Sequence, residues 1–177
     1  YEPGLTALIA RAAHPDTRII SFTVTEAGYY LDPDNALDLA AADIASDLAA
    51  VKAGKPGSTI YGALAVMLKG RQQAGSGPVT LLCCDNLRHN GDRSRSGLLQ
   101  FITRLGDTDL LAWIEANTTS PNDMVDRITP RPAPEVAQRV LAATGWADAA
   151  PVMGESFIQW VVEDNFIAGR PEWEKVG

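Results

Sequence analysis

"VTLLCCD", residues 79–85, is a short apolar run ending on an aspartate, the pattern of a strand buried on both faces. "RIISFTVT" (18–25) has the same character with β-branched residues, "AWIEANTTS" (112–120) is a weaker third version, and "APVMGES" (150–156) is a possible fourth. Helical stripes lie between them. From Ser58, a residue suited to capping, Ile60, Leu64, Met67 and Leu68 share one face. After Asp92, Leu98, Phe101, Ile102 and Leu105 make another stripe, closed by Gly106. A third helix is predicted over Pro134–Thr144, stopped by Gly145, and Leu5, Leu8, Ile9 and Ala12 predict a short first helix ending before Pro15. The Ala- and Asp-rich stretch Leu31–Gly57 reads as an insertion between strand and helix, with a break at "GKPGS". Strand–helix–strand alternation of this kind implies an α/β fold with a largely parallel sheet flanked by helices.

Composition narrows the partners. The 177 residues are 46% hydrophobic and 21% charged, ordinary for a soluble globular domain with a real core. A net charge of −7 argues against non-specific binding to nucleic acid or to an anionic membrane surface. No apolar run approaches the roughly 20 residues of a membrane span, and the amino end lacks the order of a signal peptide. Adjacent Cys83 and Cys84 point to opposite faces of a strand, which excludes a disulfide framework and predicts a reducing, cytoplasmic location.

In parallel sheets, ligands sit beyond the carboxyl ends of the strands. Three polar clusters fall there: Thr25-Glu26, Asp85-Asn86 and Pro121-Asn122. Strand-terminal Asp and Asn also cap turns, so pattern alone leaves ligand site and turn chemistry both open. No Gly-x-Gly-x-x-Gly follows a strand, and there is neither a P-loop nor a Gly-x-Ser-x-Gly elbow. His14 and His89 have no partners at metal-ligand spacing, so no metal site is expected.

Four motifs carry more than their pattern. "TVTEAGYY", "CDNLRHNGD", "PNDMVDRITP" and "ESFIQWVVEDNFIAGRPEWEKVG", in this order, resemble the long-chain polyol dehydrogenase family over nearly the whole chain. "FTVTEAGYYLD" and "STIYGAL" are most similar to the members acting on D-arabinitol. The resemblance implies a Rossmann-like sheet lacking its first dinucleotide-binding unit. Residues 1–177 would be the C-terminal part of an expanded NAD-binding domain. The family's glycine-rich turn would precede this segment, and its lysine-bearing helical substrate domain would follow, both being missing segments of the same polypeptide. The implied activity is metal-independent hydride transfer between a sugar alcohol, D-arabinitol or mannitol, and its ketose. NAD or NADP would be the cofactor, with NAD favoured. The alternatives are a hexuronate reductase of the same family and a non-catalytic remnant or interaction domain.

The resemblance also implies roles. Asn122 matches an asparagine whose amide holds the oxyanion developing on the substrate, a role suited to a neutral NH2 donor; the alternative is a cap for a helix beginning at "DMVDR". Thr25, Glu26, Asn86 and Asn90 match positions at the cofactor, although Glu26 could be a buried, paired carboxylate and the asparagines could form a turn with Gly91. Asp164 resembles a substrate hydroxyl contact, with Glu163 the competing choice. Asp126 and Arg127 are expected to form a structural ion pair, and Trp160, Phe166 and Trp173 to be core. Asp123 departs from the family, which has a small residue there; a carboxylate facing the oxyanion would oppose charge build-up unless it turned away.

Overall fold

The structure, a computed structural model, describes residues 5–176. Three parallel strands, β1 (Ile19–Phe22), β2 (Val79–Cys83) and β3 (Thr118–Thr119), form the central sheet in that order. Phe22 pairs with Cys83 and Val79 with Thr118, so the strands' carboxyl ends open on one edge. Every residue of β2 is buried, which is why its sequence shows no alternation: a strand covered on both faces has no solvent side.

Helix α1 (Thr6–Ala13) precedes the sheet, α2 (Ala42–Lys52) and α3 (Ile60–Gln73) link β1 to β2, and α4 (Asn90–Leu105) and α5 (Thr108–Asn117) link β2 to β3. Leu64 and Leu68 of α3 meet Leu98, Phe101 and Ile102 of α4 and Leu81 of β2 in one core. Each such side chain contributes roughly 1.5–3 kcal/mol by leaving water. Gly106 takes φ 80 after α4, the left-handed stop that its glycine anticipated.

Some expectations change. Most of "AWIEANTTS" is helical: Asp107 caps α5 by accepting the Leu110 N–H at 3.0 Å, Leu110 and Ile114 are buried one turn apart, and only Thr118–Thr119 are strand. The supposed insertion contains α2, whose Ile44 and Leu48 enter the core. Ser58 does not cap α3. Thr59 does, accepting the Gly62 N–H at 3.2 Å.

Asp47 of α2 reaches that cap. Its buried carboxylate accepts the backbone N–H and the hydroxyl of both Ser58 and Thr59 at 2.7–3.0 Å. Burial pushes this carboxyl up, but the four donors outweigh it and hold it below the usual carboxylate range. Arg71, also fully buried, donates to the carbonyls of Ala12, His14, Gly77 and Pro78, tying the end of α1 to the entry of β2.

The chain divides into two compact units. One runs to Met124 and resumes at Val161; in it, β4 (Asp123–Met124) pairs antiparallel with β5 (Val161–Val162). The other, Val125–Trp160, carries α6 (Pro134–Thr144), opened by Pro134 and closed by Gly145 at φ 75. Residues 150–156 form no strand, Pro151 and Gly154 both being poor strand interiors. Asp126 and Arg127 make no ion pair: the carboxylate accepts the Arg127 backbone N–H at 2.8 Å, and the guanidinium donates to the Phe157 carbonyl at 2.8 Å. Trp160 is exposed rather than core, and Phe166 meets Trp173 edge-on at 5.5 Å. No helix among the described residues is long and apolar enough to cross a membrane.

Candidate active site

The carboxyl edge of the sheet gathers most of the residues the motifs single out. Thr25 and Glu26 follow β1, and both are exposed, so Glu26 is not a buried, paired carboxylate. Asn86 is exposed beyond β2. Glu26 and Leu87 border a crevice of about 500 Å³ that Asn35 and Arg93 close, the guanidinium donating to the Asn35 amide oxygen at 2.5 Å.

Asn90 lies beneath this edge, fully buried at the first turn of α4. Its NH2 donates to the Asp123 carboxylate at 2.5 Å and to Asp85 Oδ1 at 3.3 Å, while its oxygen accepts the N–H groups of Gly91 and Asp123 at 2.8 and 2.9 Å. Asp85 also accepts the Tyr29 hydroxyl at 2.5 Å. Burial, then the bond to Asp85, push the Tyr29 phenol far above its usual range, and burial pushes the Cys83 thiol up to about 11. The left-handed residue of this turn is His89 (φ 57), not an asparagine. Gly91 is constrained more strictly, since a Cβ there would lie 2.4 Å from the carbonyl oxygens of Ser120 and Pro121. Only a bare α-carbon lets α4 approach the end of β3.

No helix starts at "DMVDR"; Asp123 and Met124 are strand. Asn122 instead faces α4 and β5. Its side-chain oxygen accepts the Asp92 N–H at 3.0 Å, and its NH2 donates to Asp92 Oδ2 at 3.0 Å and Glu163 Oε1 at 3.1 Å. Its backbone N–H donates to Glu163 Oε2 at 2.8 Å, and its carbonyl accepts the Glu163 N–H at 2.9 Å. A crevice of about 350 Å³ opens here, bordered by Arg88, His89, Asn122, Met124, Val161 and Glu163. Asp123 turns its carboxylate inward to Asn90.

Of the two acidic neighbours, Glu163 meets Asn122, whereas Asp164 pairs with Arg170 at 2.8 Å, which holds the Asp164 carboxyl below its usual range. Glu163 borders the crevice, and Asp164 is not among the residues lining it. Nothing in the sequence signalled Asp92.

Residues 2–175 match the family described as the mannitol dehydrogenase Rossmann domain. The chain is 58% identical over its full length to a D-arabinitol 4-dehydrogenase of Ralstonia nicotianae and 49% identical to another from Klebsiella pneumoniae, covering 37% and 38% of those proteins. It superposes on the Pseudomonas fluorescens mannitol 2-dehydrogenase, solved with NAD and D-mannitol, with a TM-score of 0.78 at 42% identity, over 97% of this chain and 34% of that one. The chain thus spans little more than a third of the length of these relatives. Parallel strands opening on one polar edge, matched over 174 of 177 residues (2 through 175), make this chain a member of the mannitol dehydrogenase family and that stretch its Rossmann domain.

Proposed function

We propose that this chain is the part of an NAD-dependent polyol dehydrogenase that meets cofactor and substrate, the whole interconverting a sugar alcohol and its ketose. The observation carrying this reading is the shared edge: Asn122 borders its crevice beside β3, and Thr25, Glu26 and Asn86 stand exposed beside β1 and β2. No hydrogen bond among the described residues occupies the side chains of those three, so ribose hydroxyls and a carboxamide find free partners there. Asn90 differs. Fully buried and committed to Asp85 and Asp123, it supports the cofactor edge from beneath.

NAD, when bound, accepts the hydride leaving the carbinol carbon. The chain's own contribution is to orient the alcohol and stabilise charge on its oxygen. The Asn122 NH2 donates to the developing alkoxide, and one such donor is worth about 3–4 kcal/mol of barrier. Glu163, which borders the crevice, accepts a neighbouring hydroxyl, while Asp164 stays paired with Arg170. The base that takes the alcohol proton is supplied from outside these residues. NAD is favoured over NADP by the relative solved with it, and D-arabinitol over mannitol by the 58% identity. Free Cys83 and Cys84 fit a reducing cytoplasm.

The test is a substrate panel on the full-length polypeptide, comparing NAD with NADP. Oxidation of D-arabinitol or mannitol with NAD is expected; turnover confined to hexuronates, or none with any polyol, overturns the reading. The 177 residues alone are expected to be inactive.

A further inference from the structure

We propose that Asn90–Gly91 is a latent deamidation site, shielded while the start of α4 is clasped to β4 and converted one way when that clasp opens. The inference stands on the fold and is independent of the polyol reading.

Asparagine followed by glycine is the least hindered setting for succinimide formation, because no side chain on the second residue obstructs its backbone nitrogen. The 177 residues contain one such pair. The packing holds both members in place. A Cβ at position 91 would lie 2.4 Å from the carbonyl oxygens of Ser120 and Pro121. The Asn90 amide donates to Asp85 and Asp123 and accepts the N–H groups of Gly91 and Asp123, a double task that an aspartate, with no donor, does not perform. The fold therefore requires a chemically fragile dipeptide in its interior.

The reaction begins when hydroxide takes the Gly91 N–H proton. The nitrogen attacks Asn90 Cγ, an N–C bond forms, the Cγ–NH2 bond breaks and ammonia leaves. Water then opens the imide at either carbonyl, giving aspartate or isoaspartate without any oxidation. The closed structure opposes each step. The Gly91 N–H donates to Asn90 Oδ1 at 2.8 Å, which commits the proton that must leave and aims the nitrogen at oxygen rather than carbon. Asn90 is 0% exposed, so hydroxide and water do not reach it. Turning the amide for attack breaks its bonds to Asp85 and Asp123 together.

Conversion waits on local opening, and the approach to α4 is suited to it. Asn86, Arg88 and His89 are exposed, and His89 is held at φ 57, a left-handed strain that opening relieves. After conversion, a carboxylate at position 90 faces Asp85 and Asp123 with no NH2 among the three, so the clasp does not re-form. Isoaspartate also lengthens the backbone where α4 meets residues 120 and 121.

The test incubates the full-length polypeptide in mildly alkaline buffer, with and without urea. Trypsin releases residues 89–93, whose mass rises as OH replaces NH2. The native rate is expected to be at least about tenfold below the unfolded rate; equal rates overturn the proposal and need no variant. Asp123→Ala should raise the native rate severalfold and leave the unfolded rate unchanged, whereas Asp47→Asn, which loosens the cap of α3 instead, should keep the native rate near wild type. Equal acceleration by both variants assigns the reaction to global unfolding and overturns the local latch, as does no acceleration in a folded Asp123→Ala. The converted protein, separated by its extra negative charge, should unfold at lower urea than the unconverted; coincident unfolding curves contradict the loss of the clasp.

Discussion

Asn90 and Asp123 hold each other twice: the Asn90 NH2 donates to the Asp123 carboxylate, and the Asp123 backbone N–H donates to the Asn90 oxygen at 2.9 Å. Both residues are buried, so the pair ties the start of α4 to β4 directly beside Asn122. Asn90→Ala removes the donor shared by Asp85 and Asp123 and leaves two buried carboxylates short of a partner. The expected loss is about 3 kcal/mol, on the scale of an unsatisfied buried charged group, measured by urea unfolding. A midpoint unchanged from wild type would show the clasp to be energetically idle.

Gly91→Ala tests the approach of α4 to β3 without touching a polar group. The new Cβ meets two backbone carbonyl oxygens at 2.4 Å, and backbone cannot rotate away as a side chain can. We expect a cost of about 1–3 kcal/mol, typical of overpacking, together with reduced turnover in the full-length enzyme because Asn122 shifts with β3. Full stability in calorimetry would contradict the packing described.

Asp47 sets an acid limit. Its folded-state carboxyl is held below the unfolded value of about 3.9, so its stabilisation is complete above that pH and drains away as pH falls through the lower folded value. The stability gap between wild type and Asp47→Asn should be constant near neutrality and should narrow below about pH 4, read from unfolding midpoints across pH. A gap that widens on acidification would reverse the sign and refute the assignment.

Legibility in the sequence followed physical cause. Strand β2 and helices α4 and α6 are readable because an unbroken apolar run, an apolar stripe and terminal glycines each report one element. Helix α2 is hidden because Ile44 and Leu48 stand among alanines, which bury on any face and blur the period. Helix α5 reads as strand because its signal, the Asp107 cap, lies upstream of the β-rich "WIEANTT". At the site, a motif marks Asn122, but its partners come from elsewhere: Asp92 is 30 positions away and Glu163 41. Contacts of that separation leave no periodic trace. The two-residue β5 is likewise too short for alternation to show whether Glu163 or Asp164 faces inward.

The most direct measurement is the steady-state turnover of Asn122→Ala in the full-length enzyme, with polyol and NAD at saturation. If the Asn122 amide carries the alkoxide, kcat falls about 100-fold or more while the protein remains folded. A folded variant that turns over at the wild-type rate would reduce Asn122 to a brace between α4 and β5.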